Sequence, residues 1–251
     1  MLEIRKPGYA EYLNLPSSDD EPVDHEIQNL LPNLLLSILA WLWSDRADWT
    51  WNVDMGIFYY RNGQLQPALC PDGFLSVGVP RQRGDQLRLS YAMWMEDEIP
   101  PIFVLEIVSK TKGGEYDQKL LRYADLGVLY YCIYNPDHYQ RDRHDPFEIY
   151  KLIDGVYQRQ SGEPFWMPEL ELGIGRQFGS FQAIDREWLY WFNEAGDRYL
   201  TPEERSALFQ SQAKTLAVET QALEEQAQTA KQRADRLAAK LRELGLNPDD
   251  L

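Results

Sequence analysis

The chain has 251 residues, 44% of them hydrophobic and 13% aromatic, enough to bury a core in one domain plus an appendage, which excludes disorder throughout. Its 25 basic and 40 acidic residues leave a net charge of −15, which argues against a broad basic face for DNA and leaves contacts that are local, weak or helped by a divalent cation. No window approaches the ~18 consecutive apolar residues of a membrane span, and Met1-Leu2-Glu3-Ile4-Arg5-Lys6 lacks the apolar stretch of a secretory signal, so a soluble cytoplasmic protein that avoids membranes is expected.

In chain order, residues 24–43 carry Ile27, Leu31, Leu34, Leu35, Ile38 and Leu42 at steps of three and four, the pattern of a long packing helix. Ser17, Ser18 and Asp19 offer caps before it, and Pro32 predicts a kink or a late start. The period then changes: residues 49–60 and 66–79 read as strands joined by a turn at Arg61-Asn62-Gly63. Residues 102–108 are an apolar run, 115–126 a helix with Tyr116, Leu120 and Tyr123 on one face and Gly127 as its stop, and 128–134 a second run. That order predicts a β-α-β unit with parallel strands and a right-handed crossover. Asp154-Gly155 marks a hairpin between 147–153 and 156–160, and residues 186–192 are expected to form a short helix.

Beyond Thr201-Pro202 the composition turns to Ala, Glu, Gln, Lys, Arg and Leu, with nine acidic against seven basic residues, so most of the negative charge belongs to the body. Leu216, Leu223, Ala230, Leu237 and Leu244 recur every seven residues, with Thr220, Ala227, Ala234 and Leu241 four positions on, which is coiled-coil spacing. Leu244-Gly245-Leu246-Asn247-Pro248 supplies the stop. Cys70 and Cys132 lie in apolar stretches and are expected to be reduced structural thiols; His25, His138 and His144 make no metal-ligand motif with them.

Two acids bear on chemistry. Asp72, after Pro71 in an extended apolar stretch, is costly there unless exposed, paired or bound to a cation, although aspartate is also common in turns. Glu106 interrupts a run that otherwise reads as a buried parallel strand, and needs solvent, an ionic partner or a metal. Carboxylates on neighbouring strands suit a hard divalent cation, Mg²⁺ above all, with water completing its shell. The loop Ser109-Lys110-Thr111-Lys112-Gly113-Gly114 brings cations and glycine amides beside the acids, fit for an anionic substrate or for a plain connector. Lys119 and Arg122 follow on the helix, where a solvated charged face is the ordinary alternative.

Pro71-Asp72, Glu106-Ile107-Val108-Ser109, Asp117-Gln118-Lys119, Tyr123, Gly127-Val128 and Tyr131-Cys132-Ile133-Tyr134-Asn135-Pro136 together resemble the Uma family of restriction-endonuclease-like proteins, placed in the PD-(D/E)XK nuclease superfamily. The likeness spans residues 24–204, including Trp191-Phe192-Asn193-Glu194-Ala195-Gly196, and the tail is similar to an extension of some members. It implies an α/β restriction-endonuclease-like core, a central mixed sheet flanked by helices, over 1–200, then a helical coiled-coil tail over 201–251. It also implies that Asp72 and Glu106 are catalytic and bind Mg²⁺ together with the carbonyl of Val108. Val108 stands where a typical member has its lysine, and the resemblance implies that Lys119 reaches back from the helix to do that work, with Lys110 and Lys112 as other candidates. Lys110, Lys112 and Arg122 are the expected substrate contacts, and Glu26 resembles an accessory acid, a place otherwise taken by a dipole residue.

The implied activity is metal-dependent endonucleolytic hydrolysis of DNA phosphodiesters. A homo-oligomer is expected from the heptad spacing, with the tail as the candidate contact and only modest self-association from it without help from the body, because its Ala-heavy seam buries little apolar area. No basic helix or ribbon suited to reading bases is evident, so nothing in the residues supports sequence specificity. A rival reading is a catalytically silent module that binds nucleic acid or protein. A third, an anion or nucleotide site in the 109–114 loop, ranks last because the loop lacks the full Gly-x-x-x-x-Gly-Lys-Ser/Thr pattern.

Overall fold

The computed structural model describes residues 8–16, 25–85, 87–111 and 113–244, so the caps expected at Ser17, Ser18 and Asp19, the stop at Gly245 and Pro248, and Lys112 all lie outside the described residues. A short helix α1 (Tyr9–Leu13) precedes α2 (Ile27–Leu42), the long helix expected from the leucine spacing. Pro32 sits inside α2 without ending it, and Leu31, Leu34, Leu35, Ile38 and Leu39 are fully buried along one face.

Next come β1 (Trp49–Val53), β2 (Ile57–Phe58), β3 (Tyr60–Arg61), β4 (Gln64–Leu65), β5 (Gly73–Val77) and β6 (Tyr91–Ala92). The turn between β3 and β4 has Asn62 and Gly63 both at positive φ, 51° and 77°, the conformation that asparagine and glycine adopt most readily. Of the stretch 66–79 only β5 is regular strand. The β-α-β unit is β7 (Phe103–Ile107), α3 (Gln118–Leu126) and β8 (Tyr130–Tyr134), with β7 and β8 parallel as expected. Helix α3 begins three residues later than the pattern implies, because Asp117 turns its carboxylate onto the Gln118 N–H. It stops at Gly127, whose φ of 88° a β-carbon would disfavour. After a single helical turn, α4 (Tyr139–Asp142), the expected hairpin forms from β9 (Phe147–Ile153) and β10 (Val156–Arg159) around Asp154 and Gly155.

The remaining strands, β11 (Phe165–Met167), β12 (Leu172–Phe181) and β13 (Ile184–Phe192), correct the reading of 186–192 as a helix. β13 pairs with β12 from Phe192↔Gly173 to Ile184↔Phe181. Trp188 to Phe192 are all buried, so the inward–outward alternation that marks a half-exposed strand never shows in the sequence.

The main sheet runs β1-β5-β7-β8-β9-β10, with every neighbouring pair antiparallel except β7–β8; β11-β12-β13 form a second, antiparallel sheet. Alternate residues divide the main sheet between two cores. Phe103, Leu105 and Ile107 join one with α2 and β13, closed by the Trp191 indole N–H donating to the Leu35 carbonyl at 2.9 Å. Val104 and Val108 join the other with Tyr123 and Leu126 of α3. The chain is a mixed α/β protein whose central mixed sheet is flanked by helices, and it divides into two compact units, Met1–Tyr199 and Leu200–Leu251. The second unit is α5 (Pro202–Glu243), opened by a reciprocal cap in which Thr201 and Glu204 satisfy each other's backbone N–H. No described helix is long and apolar enough to cross a membrane.

Candidate active site

Strands β5 and β7 pair antiparallel up to Gly73↔Leu105, which brings Asp72 beside Glu106 just beyond the last pair. Gly73 and Leu105 face the α2 side, where a β-carbon on Gly73 would meet the Trp51 ring at 2.9 Å and Pro32 at 3.4 Å. The pleat therefore turns Asp72 and Glu106 to the same, α3-bearing face. Asp72 is partly buried, and its Oδ2 accepts the Ile107 N–H at 2.6 Å, where β5 has stopped offering carbonyls.

Glu106 is only 2% exposed. Lys119 Nζ donates to its Oε2 at 2.8 Å and the Tyr123 hydroxyl to its Oε1 at 2.6 Å. Lys119 and Tyr123 are four apart on α3, the spacing that stacks two side chains on one helix face, so a single element addresses both carboxylate oxygens. The Tyr123 contact was not foreseen: the sequence marks Tyr123 as apolar packing, and only its i, i+4 relation to Lys119 hints at more.

The charges are strongly coupled. Burial, and then the Glu106 carboxylate, push Asp72 well above the ordinary carboxylate range. Burial also raises Glu106, against the pull of Lys119 and Tyr123. Burial opposes the charge on Lys119, yet Glu106, Glu115 and Asp72 together hold it protonated more firmly than an ordinary lysine. Burial and the neighbouring Glu106 keep Tyr123 neutral. Asp54, whose N–H donates to the Asp72 carbonyl at 3.4 Å, adds negative potential to Asp72.

The other expected residues lie apart from this centre. Val108 is buried, and its N–H donates to the Tyr134 carbonyl of β8 at 2.9 Å. Lys110 is exposed, and its carbonyl accepts from Arg141 at 2.7 Å. Arg122 spends its guanidinium on the carbonyls of Pro67 and Ala68, and with the Arg61–Asp125 ion pair it fastens α3 to the β3–β4 region. Glu26 is exposed at the start of α2, a helix that packs on the sheet face opposite Glu106. In the 109–114 loop the Gly113 N–H is taken by both oxygens of buried Glu115 at 3.1 Å, so the chain's own carboxylate stands where an anion would dock.

Among the described residues no three Asp, Glu, His or Cys side chains gather as a metal cluster. Two hard oxygen donors on one face, each raised in pKa by burial, and Asp72 further by its neighbour, nonetheless match the needs of a divalent cation that keeps most of its water.

The Uma2 family, described as "Putative restriction endonuclease", matches residues 11–182. A crystal structure described as a putative nuclease belonging to DUF820 from Anabaena variabilis superposes with a TM-score of 0.42 at 13% identity, covering 63% of this chain and 87% of that one. No curated protein matches.

Proposed function

Because the chain belongs to the Uma2 family, a restriction-endonuclease-type family, we propose that it is a metal-dependent endonuclease acting on DNA, with Asp72, Glu106 and Lys119 as its working centre. The observation that carries this is the convergence of two carboxylates from adjacent strands on one face, with a lysine ammonium on one of them. Asp72 and Glu106 would hold a divalent cation, Mg²⁺ as the first choice. A main-chain oxygen would join them, and Ile107 is better suited to give it than Val108: within extended chain a residue's N–H and C=O project to the same strand edge, and Ile107 turns that edge to Asp72 while Val108 turns it to β8. Bound there, the cation would supply Lewis-acid stabilisation of the phosphate and a more acidic water.

The chain's own groups do the rest. Lys119, held protonated, places a positive charge where the phosphorane's negative charge grows, and Glu106 fixes its position. Tyr123 orients Glu106 and releases no proton, since its hydroxyl is held neutral. Lys110 remains a candidate for phosphate contact from the exposed loop, and Lys112 beside it. Arg122 is better understood as the tether of α3.

The test is incubation of supercoiled, linear and single-stranded DNA with Mg²⁺ or Mn²⁺, using the wild type, Asp72→Asn, Glu106→Gln and Lys119→Met, alongside calorimetric metal titration. Metal-dependent nicking that all three substitutions reduce by about 10²-fold or more is expected. Cleavage that survives Glu106→Gln would overturn the assignment. One observation favours a catalytically silent binding module: both Glu106 oxygens are already engaged, by an ammonium and a phenol. Metal binding without cleavage of any substrate would select that reading.

A further inference from the structure

Helix α5 displays an apolar seam that nothing within its own compact unit covers: Leu216, Leu223 and Leu237 are 64%, 66% and 63% exposed, and Phe209 extends the same seven-residue series. The seam alone does not name an occupant. The charges flanking it do.

We propose that α5 pairs with α5 of a second copy as an antiparallel two-stranded coiled coil, centred between Ala227 and Ala230. In this register Ala227 meets Ala230 of the second copy at a close central contact, Leu223 meets Ala234 and Thr220 meets Leu237, each a small residue against a large one, and Leu216 meets Leu241 as a leucine pair towards each end. The flanking positions then place Glu224 against Lys231 and Glu219 against Lys240, each twice by symmetry. Sliding the pair by one heptad in one direction opposes Glu224 to Glu224 and leaves Glu219 against Arg233 as its opposite-charge pair, and in the other it opposes Lys231 to Lys231 and Arg233 to Arg233. A parallel pair in register opposes Glu219 to Glu224 twice. Like charges therefore disfavour the parallel pair and one neighbouring antiparallel register, and the other keeps two opposite-charge contacts against one repulsion where the proposed register has four and none, so opposite charges favour the proposed one most.

The experiment is sedimentation equilibrium of the full chain over a wide concentration range, at low salt so that screening does not mask the pairs. The wild type is expected at twice 29.3 kDa. Glu224→Lys should weaken the dimer about tenfold, because it opposes Lys231 across both symmetric contacts, and adding Lys231→Glu to the same chain should restore it. A parallel dimer responds with the opposite sign, since Glu224→Lys would then face Glu219 and tighten association. A monomeric wild type, a higher stoichiometry, or tightening by Glu224→Lys overturns the proposal. All these side chains are exposed on the helix, so a circular-dichroism spectrum unchanged among the variants keeps the comparison one of association alone.

Discussion

Asp72 combines a chemical asset with a structural burden. Its folded-state pKa is raised, so the native protein binds a proton more tightly than the unfolded chain, and stability falls as pH climbs above the unfolded value of about 3.9. Asp72→Asn keeps an oxygen for the Ile107 N–H and removes the charge. It is expected to stabilise the protein at pH 7 by about 1–2 kcal/mol and to lose that advantage near pH 4, read by urea unfolding at both values. A variant less stable than wild type at pH 7 would contradict the account. The opposite sign applies to the partners of Glu106. Tyr123→Phe strips one oxygen of its donor and should cost about 1–3 kcal/mol, whereas Lys119→Met leaves a buried carboxylate without its cation and should cost more, about 3 kcal/mol or above. If thermal melts rank these two in the reverse order, the ammonium is not the main support of Glu106.

At the scale of elements, α3 is the part on which the site depends, since it delivers Lys119 and Tyr123 together. Its end is set by Gly127 in the left-handed region, so Gly127→Ala is expected to cost about 1 kcal/mol and lower the melting temperature by a few degrees without touching the acids. An unchanged melting temperature would mean that the helix stop tolerates a β-carbon. The elements legible beforehand were those with a clear period or a special turn residue. The leucines of α2, the β7-α3-β8 unit ending at Gly127, and the Asp154-Gly155 hairpin announce themselves through spacing and backbone preference. β13 did not, because burial of Trp188 through Phe192 erased its alternation, and β12 with its glycines gave no pattern at all. The acids were legible as charges set in apolar runs, whereas Lys119 by itself reads as a solvated helix charge and only the family resemblance tied it to them. Tyr123 was hidden because a tyrosine facing a core reads as packing until its hydroxyl partner is seen, and the loop's claim on anions could not be judged without seeing Glu115 fold back on Gly113.

For the whole molecule, a net charge of −15 sets the terms on which any polyanion can approach. Without divalent cations, binding to duplex DNA should be weaker than about 10⁻⁴ M at physiological salt, and Mg²⁺ should strengthen it by bridging rather than by screening alone, a contrast that fluorescence anisotropy with matched ionic strength would reveal. Tight binding in a chelator would show that a basic path exists despite the overall balance. The layering carries one more consequence. The sheet face opposite the acids lies beneath α2 and the β13 layer, whereas the face with the acids is shared by nine-residue α3 and the two-residue strands β2 and β6. Amide hydrogens of α3 should thus exchange with deuterium sooner than those of α2, through partial openings that withdraw Lys119 and Tyr123 while the sheet stays intact. The two acids would then remain side by side on the strands, momentarily without their neutralising escort.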